Sequence, residues 1–171
     1  LGRCLNSISW VPEVFVADSN SSDKTSEIAE MHGAKVVQFE YKGGWPKKKN
    51  WALENLPFSS EWVLILDADE CLPPEAEEEI RSIVNNAGNK HSGYWINRRY
   101  FFMGKALEYA YFPNWNLRLF KHKLGRYEKI TDLSTDSGDH EIHEHVVVQG
   151  STGRLKSIMD HHAFPTIESF V

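Results

Sequence analysis

The sequence predicts an α/β domain with a mixed, mainly parallel sheet flanked by helices, and two observations carry that reading. The early chain runs strand, polar loop, helix, strand, the order of a βαβ unit, which is expected to be parallel and right-handed. Further on, Trp62-Val63-Leu64-Ile65-Leu66 is an unbroken apolar run, suited to a parallel strand buried on both faces, and it stops at the acidic stretch Asp67-Ala68-Asp69-Glu70. The 171 residues, 41% hydrophobic and 25% charged, suit one globular domain with a real core.

Leu1 to Ile8 has the pattern of an amphipathic helix already in progress, so the chain is expected to be a fragment lacking a first strand. Val14-Phe15-Val16-Ala17 is a short strand ending in Asp18. The loop Ser19 to Asp23 is rich in N-capping residues, and Lys24 to Met31 follows at helical spacing with Ile28 and Met31 predicted to face inward. Gly33 suits the residue after a helix end, and Val36-Val37 is the next strand. Pro46 is well placed to open a helix reaching about Asn55. Lys47, Lys48 and Lys49 in its first turn oppose the helix dipole, so either a nearby anion or a solvated face must account for them. Ala76, Ile80, Ile83, Val84 and Ala87 mark one face of a helix, opposite a solvated row of Glu75, Glu77, Glu78, Glu79 and Arg81. Strands are predicted at Tyr94 to Phe101, Leu117 to Phe120 and Val146 to Val148, with an aromatic segment from Tyr109 to Trp115. The second half is therefore expected to be mixed in structure.

A net charge of -5 argues against a nucleic-acid-coating role. No apolar run reaches the roughly eighteen residues that a membrane helix needs. Cys4 and Cys71 stand in no metal spacing, which fits a reducing compartment and excludes a disulfide scaffold. The chemistry concentrates at Asp67 and Asp69. Two apart in an extended strand, their side chains leave on the same side. Carboxylates aimed at one point repel unless a cation sits between them, and Mg²⁺ or Mn²⁺ with substrate phosphates is the natural occupant. Alternatively the acids cap the helix near Pro73 and Pro74, a role that suits Glu70 and leaves Asp67 unexplained.

Taken together, four motifs resemble the family 2 inverting glycosyltransferases of GT-A fold. They are Asp18-Ser19-Asn20-Ser21-Ser22-Asp23-Lys24-Thr25, Trp45-Pro46-Lys47-Lys48-Lys49-Asn50-Trp51-Ala52-Leu53, the DxD triplet Asp67-Ala68-Asp69, and Pro113 to Phe120 with the histidine-glutamate pair His143-Glu144 and the late His161. The last resembles a bacterial branch acting on lipopolysaccharide core and related surface glycans. The resemblance implies one catalytic domain over 1–171. Residues 1–90 would bind the nucleotide-sugar (a UDP-sugar above all), and 91–171 would face a saccharide or lipid-linked acceptor. It places Asp18, Ser19, Asp23, Lys48, Asn50, Asp67, Ala68 and Asp69 at the donor, with Asp69 and Asp67 holding Mn²⁺ or Mg²⁺. It also implies a general base in the second half, with Glu144 foremost and Glu141 and Asp139 as rivals. Arg118 either grips an anionic acceptor or pairs with a nearby carboxylate, and Trp115 either stacks on a sugar or packs in the core. The expected location is the cytoplasm, with a lipid-linked acceptor bringing the chain to the inner membrane's cytoplasmic face.

Two other classes fit parts of the sequence. His140, His143, His145 and His161 could serve a zinc hydrolase, although no HExxH pattern is present. A non-catalytic carbohydrate-binding relative would keep the same fold.

Overall fold

The computed structural model describes residues 1–43, 46–129 and 145–164. Its first helix, α1 (Gly2–Ser7), buries Cys4 and Leu5. Next come β1 (Phe15–Asp18), α2 (Thr25–Met31) and β2 (Lys35–Gln38). The two strands pair in parallel from Phe15 opposite Lys35 to Asp18 opposite Gln38, which is the predicted βαβ unit. Ile28 packs on the core, but Met31 is 79% exposed, contrary to expectation. Ala29, fully buried, shares the inward face with Ile28, and Met31 lies about 200° further around the helix.

Helix α3 (Lys48–Asn55) precedes the short strands β3 (Trp62–Leu64) and β4 (Glu70–Cys71), and α4 (Glu75–Val84) follows. The inward face of α4 is Ala76 and Ile80, with Ile83 and Val84 partly buried; Ala87 is exposed because the helix has ended. Glu79 is more than part of a solvated row. Its carboxylate accepts the main-chain N–H groups of Lys156 and Ser157 (2.7 and 3.0 Å) and the Ser157 hydroxyl (2.6 Å). Those residues lie where the long strand β10 slips register, so Glu79 satisfies donors that the irregular ladder leaves over.

The remaining strands are β5 (His91–Phe102), β6 (Lys105–Ala106), β7 (Trp115–Lys121), β8 (Gly125–Tyr127), β9 (Val146–Val148) and β10 (Ser151–Phe164). Six of the described strands form one sheet in the order β3-β7-β5-β10-β4, with β6 on β5. The sheet is mixed: β5 and β10 run parallel along the longest ladder, and the other neighbours are antiparallel. Together with the β1–β2 unit and the flanking helices this is the α/β architecture of the GT-A fold.

The apolar run at residues 62–66 differs from expectation in its pairing. Among the described residues its ladder partner is β7, antiparallel, with Val63 opposite Phe120 and Leu64 opposite Leu119. Burial on both faces holds nonetheless. Trp62, Leu64 and Leu66 pack on a cluster containing Leu72, Ile80, Ile96 and Met159, while Val63 and Ile65 join one built on Leu53, Phe120 and Tyr127. The sheet thus lies between two apolar cores, and the run between them leads to the acids.

Candidate active site

The acidic stretch is a turn rather than a continued strand. The Glu70 N–H donates to the Asp67 carbonyl at 2.9 Å, so Asp67 and Asp69 do not leave on one side as extended geometry would have it. They take different partners. Asp67 Oδ1 accepts Lys49 Nζ at 2.9 Å, and its Oδ2 accepts Arg118 Nη2 at 2.6 Å. Asp69, its side chain 45% exposed, meets His161 Nε2 at 3.0 Å through Oδ2. Ala68 at the turn is exposed.

Neighbouring strands hold this turn. On one side the β3–β7 ladder is prolonged by the Ile65 N–H, which donates to the Arg118 carbonyl at 2.9 Å and sets Arg118 beside the residues leading to Asp67. On the other, β4 pairs antiparallel with β10, Glu70 opposite His161. The next N–H, of His162, donates to the Asp69 carbonyl at 2.9 Å. One strand therefore holds both the backbone and the carboxylate of Asp69.

Electrostatics follow from burial set against pairing. Burial disfavours the ionised Asp67, but Arg118 and Lys49 outweigh it and hold the carboxyl well below the usual range. Burial likewise opposes the charges of Arg118 and Lys49. Glu70 and Asp67 keep Arg118 protonated, and Tyr127 and Asp67 do the same for Lys49. At Asp69 desolvation is overcome by His161, so its carboxyl is also lowered. Among the described residues no three carboxylate, imidazole or thiolate side chains converge into a metal cage. Asp69 and His161 do offer one oxygen and one nitrogen within mutual reach, and His161 Nδ1 is buried without a hydrogen-bond partner among the described residues.

The other predicted site residues are distributed as follows. Asp18 ends β1 buried; its carboxylate accepts the Ser21 hydroxyl and N–H (2.5 and 3.1 Å) and Gln38 Nε2 (3.0 Å). Ser19 is exposed, and Asp23, also exposed, accepts the Thr25 N–H at the start of α2. Asn50 is buried and clasps the Tyr127 backbone, donating to its carbonyl at 2.8 Å and accepting its N–H at 2.9 Å. That anchor fixes the rotation of α3, and Lys49, rather than the predicted Lys48, reaches Asp67. Of the two readings for Arg118, the geometry is that of carboxylate pairing, with Asp67 and Glu70 both on Nη2. Trp115 is half-buried with the Arg154 guanidinium over its ring at 4.8 Å. Glu141, Glu144, Asp139, His140 and His143 lie outside the described residues. His145 sits beside Glu128, whose carboxylate accepts its N–H.

The motif reading missed Arg98; it expected a nearby anion or a solvated face for Lys49, which meets Asp67, and a helix cap in Glu70, which instead binds the arginines. Arg98 on β5 donates to Glu70 at 3.1 Å and to the Tyr100 hydroxyl at 2.5 Å. From the Tyr100 ring, contacts run to His161 (centroids 4.8 Å apart) and to Tyr111 (5.5 Å), which is 60% exposed in the aromatic segment. Nearby Ala106 to Ala110 line a shallow concavity of about 310 Å³, where Tyr109 stands almost wholly in solvent.

Comparison with known proteins gives a consistent result. Residues 1–142 match the family described as Glycosyl transferase family 2. The lipopolysaccharide core biosynthesis glycosyltransferase LpsC of Rhizobium meliloti is 29% identical over 92% of this chain and 56% of its own length. An uncharacterized glycosyltransferase of Rickettsia typhi is 29% identical over the whole chain and 58% of its own length. The chain thus spans little more than half the length of these relatives. In fold it is similar to TarS from S. aureus, with a TM-score of 0.50 at 22% identity over 70% of this chain and 42% of that one.

Proposed function

The chain belongs to glycosyl transferase family 2, and from that premise we propose that it serves the transfer of a sugar from a nucleoside-diphosphate sugar to a hydroxyl of a bacterial surface glycan. The observation that carries the reading is the Asp67–Glu70 turn, which presents Asp69 at a half-open surface opposite His161 while Asp67 is held ionised behind it. Asp69 would hold Mn²⁺ or Mg²⁺ through its carboxylate, the oxygen donor such ions prefer, with His161 orienting it from β10. When bound, the ion would stabilise charge on the departing diphosphate. Asp67, fixed by Lys49 and Arg118, would face the donor's ribose.

UDP is the nucleotude class proposed first for the donor, and Asp18 would lie toward its nucleoside. Transfer with inversion needs a base to take the acceptor proton. That role is proposed for Glu144, with Glu141 as the rival. The acceptor side is placed along the Tyr100–Tyr111 rings, whose faces suit a saccharide next to His161. The similarity to the lipopolysaccharide core biosynthesis glycosyltransferase of Rhizobium supports a lipopolysaccharide-core acceptor. No helix among the described residues is long and apolar enough to cross a membrane.

Calorimetric titration of UDP with and without Mn²⁺ tests the proposal. Binding should depend on Mn²⁺ and be lost in Asp69→Ala. Equal binding by that variant would remove Asp69 from the metal site, and no nucleotide binding at all would sink the donor assignment.

A further inference from the structure

Glu70 has no exposed surface, although a carboxylate is costly to bury. Its two oxygens divide their work. Oε2 accepts the Asp67 N–H at 2.9 Å, and Oε1 accepts Arg118 Nη2 at 2.5 Å and Arg98 Nη1 at 3.1 Å. Because the Glu70 N–H returns to the Asp67 carbonyl, the turn is closed in both directions by this one residue. The same arginine nitrogen that holds Glu70 also holds Asp67. Stability alone does not call for such an arrangement, since apolar residues of similar volume often serve a core as well as a buried ion pair. What a closed ring of charged hydrogen bonds adds is a single geometry for the two residues it encloses, Ala68 and Asp69.

We infer that Glu70 is a positioning residue that sets the Asp67–Asp69 turn for metal and diphosphate, acting through Arg118, Arg98 and the Asp67 N–H. The inference rests on the proposed metal–nucleotide site. Gln at this position cannot replace the carboxylate. Its oxygen can serve the arginines or the Asp67 N–H, and in either orientation its NH₂ faces a donor.

The test compares UDP affinity with and without Mn²⁺ for wild type and Glu70→Gln, with thermal unfolding recorded for both. The Mn²⁺-dependent gain, taken as the ratio of affinities with and without the ion so that any change at the ribose contact of Asp67 cancels, should fall by about tenfold or more, as it does for residues that orient metal ligands. A purely structural role would shift the unfolding temperature and leave the metal-dependent gain intact, and that result overturns the assignment. Should Glu70→Gln not fold, Arg98→Gln releases Glu70 from the side away from the turn. A loss of about threefold in the metal-dependent gain then supports the inference, and no loss refutes it. Wild-type protein showing no metal-dependent UDP binding would overturn both the proposed function and this role, whereas wild-type binding kept by Glu70→Gln would overturn the role alone.

Discussion

Asn50 separates a structural from a ligand-binding reading of the lysine-rich helix. It is 2% exposed, and its amide makes two hydrogen bonds to the backbone of Tyr127, itself 6% exposed. Asn50→Ala would leave a main-chain N–H and a carbonyl buried without partners. Each such group costs about 1–3 kcal/mol, so the loss should be about 2–6 kcal/mol. With an m-value of about 2 kcal/mol/M in urea, the unfolding midpoint should fall by about 1–3 M. Equilibrium urea denaturation followed by tryptophan fluorescence measures it. A shift below about 0.3 M would show that Asn50 is not the clasp described. If UDP affinity then fell at unchanged stability, Asn50 would be a ligand contact instead.

Further expectations concern the same framework. Arg118→Met removes the shared partner of Asp67 and the wholly buried Glu70, so thermal or chemical unfolding should show a loss of about 3–5 kcal/mol; a neutral outcome would contradict the burial of Glu70. Asp18 is lowered chiefly by the Ser21 hydroxyl, against a smaller opposing effect of burial. Its stabilisation is therefore complete above the unfolded carboxyl pKa of about 3.9 and is lost as pH falls through the lower folded value. Ser21→Ala should cost about 1 kcal/mol at neutral pH and flatten the acid limb of a stability–pH curve, and an unchanged acid limb would refute this account. A Cβ on Gly125 would lie 2.3 Å from Cδ2 of the fully buried Phe120 ring, so Gly125→Ala should destabilise by about 1–3 kcal/mol, measurable as a lowered urea midpoint.

Local periodicity made a good part of the fold legible. The βαβ unit, α4 and the apolar run at 62–66 were readable because their apolar spacings are set within a few residues. β10 was not: it is a 14-residue strand with polar and histidine-rich stretches, and its register shifts break the two-residue alternation that marks a strand. The pairing of β3 with β7 was hidden for a different reason. Its two strands lie more than fifty positions apart, and an apolar run looks alike beside a parallel or an antiparallel neighbour.

The same distinction runs through the site. The acids of the turn were visible as an unusual local string, yet their partners come from elsewhere: Lys49 from α3, Arg98 from β5, Arg118 from β7 and His161 from β10. Choosing Lys49 over Lys48 needs the rotation of α3, and that rotation depends on Asn50 meeting Tyr127, 77 positions along the chain. Spacing rules that treat 67 and 69 as strand neighbours also send both carboxylates the same way, whereas the turn sends one to a lysine and an arginine and the other to a histidine. The difference has a chemical consequence. A carboxylate already neutralised by two cations is a poor ligand for a third, so Asp69 is left as the acid of this turn best able to take a metal ion. That division of labour requires the Asp67 side to stay closed, and Glu70 is the residue that closes it.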